Sequence, residues 1–290
     1  MAIDAASVKE LRERTGAGMM DCKRALQEAS GDLDQAAELL RKAGQAKADK
    51  KAARVAAEGQ IVIRGGAGRH VMLEINSETD FVAKDENFLK FADSIAAAAL
   101  RHAPADLSAL MALTHEGQSL ETLRQALVAK VGENIAVRRY HLLETQATVA
   151  AYSHMGRIGV LVEIDGGDET LARDLAMHVA ASAPRYLDAS QMPAAELDKE
   201  REILTAQALG QGKAEDIVKR MVEGQLRKFV DNVTLLGQPF VKDADKRVRE
   251  LLAAAKATVK SFLRYEVGEG IEKKTDDFAQ EVMAQASRSR

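Results

Sequence analysis

The chain has 290 residues, a formal net charge of −3 and one cysteine, Cys22. This length allows two or more domains, and the balanced charge lacks the basic excess that is typical of nucleic-acid binding. One cysteine excludes an internal disulfide and a metal cage built from several thiols. We find no apolar run of 18 residues and a charged, helical N-terminus, so we expect a cytoplasmic protein without a membrane span, signal peptide or transit peptide.

The first 45 residues predict three short helices. Ser7 begins a Ser-Val-Lys-Glu capping box, the Gly-Ala-Gly segment at 16–18 separates two helices, and Asp32 begins a second capping box. Gly44 is expected to end the third helix. So small a bundle has a marginal core and is more typical of an interaction module than of an enzyme.

Met19 and Met20 follow the Gly-Ala-Gly segment directly. Methionine most often fills a core. Two adjacent residues cannot both face the same core from one helix, so we expect at least one of them to be exposed or at the rim.

The hydrophobic period changes after residue 60. Two apolar runs, Ile61–Ile63 and Val71–Ile75, flank a glycine-rich turn and predict a β-hairpin. These glycines do not form a phosphate loop, because no Gly-Lys-Ser/Thr follows them. Phe88, Phe91 and Ile95 then lie on one face of a predicted helix.

A polar stretch with one phenylalanine, Thr79-Asp80-Phe81-Val82, connects this hairpin to the helix. In one interpretation Thr79 or Asp80 caps the helix and Phe81 folds back as a local contact. In the other, Phe81 stands exposed beside Asp80 and a partner receives it, because burying a phenylalanine is worth about 1.5–3 kcal/mol. The residues alone leave the two interpretations open.

The hairpin-and-helix unit occurs twice. The first copy continues with a predicted helix and a closing strand, Leu120–Val131 and Ile135–Tyr140. The second copy is predicted to consist of Val149–Tyr152, Ile158–Ile164, Leu171–Ala183 and Val259–Tyr265. Aligned on each other, the first copy is about five residues longer between strand and helix, and the surplus falls on Asp80–Val82. An insertion in one copy of a duplicated scaffold suggests a loop that is kept for function.

Two further helical features lie outside the duplicated unit. Residues 194–236 predict two helices joined by Gly210-Gln211-Gly212, with a narrow apolar seam that contains Arg201 and Gln225. We expect an antiparallel hairpin that projects as an arm. Thr275–Arg290 predicts a short amphipathic helix.

Two segments closely resemble the elongation factor Ts family: VKELRERTGAGMMDCK at 8–23 and EINSETDFVAK at 74–84. The duplicated core, the inserted helical hairpin and the tail agree with it, so the resemblance covers essentially the whole chain. It implies an α+β fold: an N-terminal three-helix bundle similar to ubiquitin-associated domains, a duplicated core of antiparallel sheet plus helix, an inserted antiparallel helical hairpin and a C-terminal helix.

These patterns and the resemblance together predict five domains or segments. They are 1–54 for the N-terminal domain and linker, 55–146 for the first core subdomain, 147–186 with 237–267 for the second, 187–236 for the hairpin insertion and 268–290 for the C-terminal module.

The resemblance implies a guanine nucleotide exchange factor that binds elongation factor Tu with GDP, displaces Mg²⁺ and GDP, and lets GTP enter. Such a factor performs no bond chemistry and has no cofactor or metal of its own, and we expect no direct contact with nucleic acid or membrane. Partner binding and Mg²⁺ displacement would fall to Thr79, Asp80, Phe81 and Val82. Further partner contacts would be Arg12, Met19, Met20, Lys23, His154 and Phe278.

No residue pattern is typical of an enzyme. His115-Glu116 lacks the second histidine of a zinc motif, and on its own His154 is a solvated turn residue. Two alternatives remain: a helical adaptor for a different protein, and an RNA-binding translation protein that uses the basic run Lys47–Arg54. That run is short and has no interleaved aromatic, so it is more typical of a solvated helical linker.

Overall fold

The computed structural model describes residues 3–115, 117–210 and 214–272. Within them the helices are α1 Ala5–Thr15, α2 Met19–Glu28, α3 Leu33–Lys51, α4 Asp80–Ala83, α5 Glu86–His102, α6 Leu107–Ala112, α7 Leu120–Val131, α8 Glu169–Ser182, α9 Ala194–Leu209, α10 Glu215–Val233 and α11 Val248–Ala254. The strands are β1 Glu58–Gly66, β2 Arg69–Ser77, β3 Thr114–His115, β4 Gln118–Ser119, β5 Ala136–Glu144, β6 Thr148–His154, β7 Ile158–Asp165, β8 Pro239–Phe240, β9 Asp243–Arg247 and β10 Thr258–Glu266. The predicted helix Thr275–Arg290 lies outside the described residues.

Helices α1, α2 and α3 form the N-terminal bundle. Helix α1 begins at Ala5, and its N-cap is Asp4 instead of the predicted Ser7, because the Asp4 carboxylate accepts a hydrogen bond from the Ser7 backbone N–H at 2.8 Å. It ends at Gly16, whose backbone N–H bonds to the Arg12 carbonyl. The buried core consists of small and apolar side chains: Leu11, Cys22, Ala25, Leu26, Ala29 and Ala36.

Helix α3 does not end at Gly44, so that prediction is wrong. Gly44 is buried in the middle of the helix, where a Cβ would lie 3.7 Å from the Cβ of Ala129 in α7. A missing side chain here permits close packing of two helices instead of ending one. Most of the predicted basic linker therefore belongs to α3, and Lys47 forms an ion pair with Asp21 at 2.9 Å.

The first sheet has the strand order β1-β2-β5. All residues of β2 from Val71 to Ser77 are buried, and β1 approaches β2 closely at Gly59. A Cβ on Gly59, which has φ of +139°, would lie 2.1 Å from the carbonyl oxygen of Ile75. The predicted apolar face of α5 is buried as expected, at Phe88, Phe91 and Ile95.

The second sheet has the order β10-β7-β6, and β7 pairs antiparallel with both neighbours. Helix α8 packs against β6 and β7. In α8, buried His178 accepts a hydrogen bond at Nδ1 from the Val241 backbone N–H and contacts the side-chain oxygen of Gln238 through Nε2 at 3.0 Å. Burial lowers the pKa of His178, and the Gln238 contact opposes this shift only in part.

Helices α9 and α10 pack on each other through a small apolar cluster. Its members are Leu204, Ala208, Val218 and Val222, with Leu226 beside them. The prediction that Arg201 and Gln225 lie in this seam is wrong, since both are exposed. Arg201 bonds within its own helix to Asp198 at 2.6 Å.

The mixture of helices and sheets confirms the predicted α+β class with its N-terminal bundle. The described chain divides into two compact units. The first contains residues up to Arg64, Leu73–Leu142 and the segment from Val267, and the second contains Gly65–Met72 and Leu143–Glu266. The domain boundaries given above are finer than this and stay a prediction. None of the described helices is both long and apolar enough to span a membrane.

Candidate partner-binding site

The 78–85 loop connects β2 to α5 in the first unit. The second copy has only residues 166–168 between β7 and α8, so the predicted surplus of about five residues is present. The extra length contains the short helix α4, and its N-cap Thr79 accepts a hydrogen bond at Oγ1 from the Val82 backbone N–H. Phe81 is 81% exposed, so it does not fold back on its own domain, and Val82 is half-buried.

Both ends of this loop are anchored by side chains from other parts of the first unit. The Glu133 carboxylate accepts hydrogen bonds from the Thr79 N–H at 3.0 Å and from the Thr79 hydroxyl at 2.7 Å. At the other end, the Gln60 amide donates to the Ala83 carbonyl at 2.8 Å. An exposed Phe81 is therefore presented on a backbone that is held before and after it.

Asp80 lies beside Phe81 and forms an ion pair with Lys84 at 2.7 Å. The Asp80 side chain is 47% exposed. Exposed pairs of this spacing contribute only about 0.3–0.5 kcal/mol. The ion pair with Lys84 by itself therefore holds the Asp80 carboxylate only weakly.

The N-terminal candidates lie on the surface of the bundle. Met19 is 60% and Met20 is 67% exposed, so neither fills the core. Both begin α2, and Lys23 follows Met19 by one helical turn and is also exposed. Arg12 is exposed in the last turn of α1.

His154 ends strand β6 in the second unit and is exposed. Its Nδ1 lies 3.2 Å from the Tyr152 hydroxyl, and the two rings stack with centroids 6.3 Å apart. Met155, which the sequence analysis did not select, is 86% exposed at φ of +52°. A large apolar residue at a turn position that favours glycine or asparagine is the sequence signal that would have identified it.

A buried carboxylate, also missed from the sequence, lies in β2 at Glu74. It accepts hydrogen bonds from Arg138 at 3.0 Å, from Arg139 and from the Gly268 backbone N–H at 2.8 Å. Burial alone would raise the pKa of Glu74, but the bonds from Gly268, Asn76 and Arg139 outweigh it and hold this pKa below its usual value. Glu74 thus fixes the segment after Val267 to the first sheet.

Comparison with known proteins identifies the family. Residues 78–269 match the family model described as Elongation factor TS. The chain belongs to the elongation factor Ts family. It is 59% identical to elongation factor Ts of Thioalkalivibrio sulfidiphilus, covering 99% of both chains, and 58% identical to that of Alkalilimnicola ehrlichii, covering 100% of both. The match to elongation factor Ts of Idiomarina loihiensis is 54% identical over 99% of this chain and 98% of the relative.

The predicted membership of the elongation factor Ts family is therefore confirmed, and with it a role as an elongation factor in protein biosynthesis. The matched range contains Phe81, Glu133 and His154, and the full-length relatives extend the similarity over the bundle that carries Met19. Phe278, also predicted to contact a partner, lies outside the described residues. Among the described residues we find no group of three or more His, Cys, Asp or Glu side chains arranged to hold a metal ion.

Proposed function

We propose that this member of the elongation factor Ts family is the guanine nucleotide exchange factor of elongation factor Tu. The observation that carries the proposal is Phe81, which is 81% exposed on a loop held at both ends. A solvent-exposed phenylalanine gains free energy when a partner buries it, and a loop that is already ordered loses little conformational entropy on binding.

In the proposed mechanism Phe81 inserts between elements of elongation factor Tu near its nucleotide site. Thr79 and Val82 fix its approach, and the Asp80 carboxylate, which gives up its surface pair with Lys84, competes with the ligands of the bound Mg²⁺. Loss of Mg²⁺ weakens the hold on the phosphates, GDP leaves, and GTP enters.

The remaining candidate residues bind elongation factor Tu but do not displace its Mg²⁺ or GDP. Arg12, Met19, Met20 and Lys23 offer an apolar and cationic surface on the bundle, while His154 contributes from the second unit. Phe278 is proposed as a further contact. Spreading the contacts lets the interface supply binding energy that the 78–85 loop alone cannot.

The exchange requires no bond chemistry and no cofactor of this chain, because it rests on coupled binding. If the factor weakens the affinity of elongation factor Tu for nucleotide, then nucleotide weakens the affinity for the factor by the same ratio. GTP, once bound, therefore releases the factor for another cycle. We place this reaction in the cytoplasm, where translation elongation occurs.

The test is release of fluorescent GDP from elongation factor Tu in excess unlabelled nucleotide. We expect the wild-type protein to speed the release, and a variant with Asp80→Ala and Phe81→Ala to be strongly impaired while it remains folded. No acceleration by the wild-type protein would overturn the proposal. Failure to bind elongation factor Tu would favour the helical adaptor for a different protein, and steeply salt-dependent RNA binding would favour the RNA-binding alternative.

A further inference from the structure

Two loops of the first unit are joined by hydrogen bonds to two carboxylates, one from each loop. Glu133 lies between α7 and β5, and it binds Thr79, 54 positions away, through both of its oxygens. In return, Glu78 accepts a hydrogen bond from the Asn134 backbone N–H at 2.6 Å. Each loop thus supplies an acceptor to a backbone N–H of the other.

The end of α3 and the residues just after it also bind the connection between α7 and β5. The buried Asn134 side chain donates to the Arg54 carbonyl at 2.9 Å, and Lys51 donates to the Gly132 carbonyl. Glu133 therefore projects from a connection that is itself fixed, which a side chain needs if it is to hold another segment in place.

The short helix α4 depends on this support. It has four residues, far fewer than the dozen or so that an isolated helix needs to be stable in water. Its cap residue Thr79 uses one hydroxyl for two purposes, since Oγ1 donates to Glu133 and accepts from the Val82 N–H. Glu133 thereby fixes the Thr79 rotamer and the starting direction of the turn that carries Phe81.

We infer that Glu133 is a positioning residue for nucleotide exchange: its carboxylate holds Thr79 so that Phe81 and Asp80 are presented in the orientation that the partner receives. This inference rests on the proposed function. Glu133 acts through the loop and needs no contact with the partner.

The first test substitutes Glu133→Ala and measures GDP release over a range of factor concentrations. Two charge-assisted hydrogen bonds are lost, so we expect the maximal release rate to fall roughly tenfold. The concentration that gives half-maximal release should change less than about threefold, because the bundle and the second unit keep their contacts. Glu133→Gln keeps one acceptor oxygen and should recover part of the rate.

A double-mutant cycle with Phe81→Ala separates positioning from general destabilisation. If Glu133 acts through Phe81, Glu133→Ala should have little further effect once Phe81 is truncated. The matched control is Glu121→Ala on α7, which removes a half-buried carboxylate that binds Arg124 at 2.8 Å and should leave exchange unchanged. Thermal unfolding of every variant confirms that it is folded.

Several outcomes would overturn the inference. An unchanged maximal rate in Glu133→Ala, or an equal loss with and without Phe81, means that Glu133 does not act through the loop. Should the alanine variant fail to fold, Glu133→Gln in the same cycle gives the answer. A wild-type protein that does not speed GDP release overturns the proposed function itself, and is distinguished from the other outcomes because it needs no variant.

Discussion

Truncation of one side chain separates the stability of this protein from its interaction with a partner. Phe81 is 81% exposed and therefore contributes little to the folded state. Surface substitutions of this kind usually change the free energy of unfolding by less than about 0.5 kcal/mol. We expect Phe81→Ala to unfold at nearly the same urea concentration as the wild-type protein.

The loss should instead occur in exchange. Full burial of a phenylalanine contributes about 1.5–3 kcal/mol, and 81% of that surface is available to a partner, so the variant should lose about 1.2–2.4 kcal/mol. This corresponds to a roughly 8- to 60-fold lower second-order rate constant for stimulated GDP release, measured by stopped-flow fluorescence. Leu89→Ala, a truncation of a 40% exposed side chain on α5 of the same unit, is the matched control and should stay close to the wild-type rate.

Two results would refute this reasoning. A loss of stability above about 2 kcal/mol in Phe81→Ala would be the cost of removing a buried side chain, and would mean that Phe81 packs on its own domain. An unchanged rate of release, with Leu89→Ala also unchanged, would mean that no partner receives the ring.

Three other predictions concern stability. Met155→Asn should raise the thermal unfolding midpoint in calorimetry, because Met155 has φ of +52° and asparagine adopts this conformation at lower cost; an unchanged or lower midpoint contradicts this. Burial lowers the pKa of His178, so neutral His178 contributes fully to the free energy of unfolding above about pH 6.5, and this contribution is lost as the pH falls towards the folded-state pKa. The urea midpoint of unfolding should therefore be lower at pH 5.5 than at pH 7.5, and equal midpoints would refute this prediction. Glu74→Ala leaves Arg138 and Arg139 without their shared carboxylate and should cost about 3 kcal/mol in urea unfolding, whereas a cost below about 1 kcal/mol would show that solvent replaces the carboxylate.

The local sequence predicted correctly those helices whose ends are set by capping residues next to them in the chain. Helix α7 has the predicted bounds Leu120–Val131 because Ser119 caps its start and Gly132, at φ of +83°, ends it. The bound of α3 was missed for the opposite reason. Gly44 carries a typical stop signal, but its role is to pack against Ala129, and that neighbour is known only once the chain has folded.

In the candidate site, too, some features could be predicted from the local sequence and others depend on contacts that form only in the folded chain. The surplus length around Phe81 was visible from comparing the two copies, whereas the sequence left open whether the Phe81 ring is exposed, and only the structure shows that it is. The support of that loop was not visible, because Glu133 and Thr79 are 54 positions apart and no periodicity or motif connects them. The elements β8, β9 and α11 were missed because each is short, from two to seven residues, and shows too little of any period.

The energetics explain why a pre-ordered loop and a wide interface are needed together. A nucleotide held at nanomolar affinity is bound by about 12 kcal/mol, whereas Phe81 supplies about 2.4 kcal/mol at most from its 81% exposed surface. In the proposed mechanism the difference comes from further contacts, such as those proposed for Met19 and Met20, which are 60% and 67% exposed. Any free energy spent on ordering the loop would reduce what remains for displacing nucleotide. Under the proposed mechanism, the hydrogen bonds from Thr79 to Glu133 in the free protein avoid that cost, so the order of the loop would contribute to exchange together with the ring that it presents.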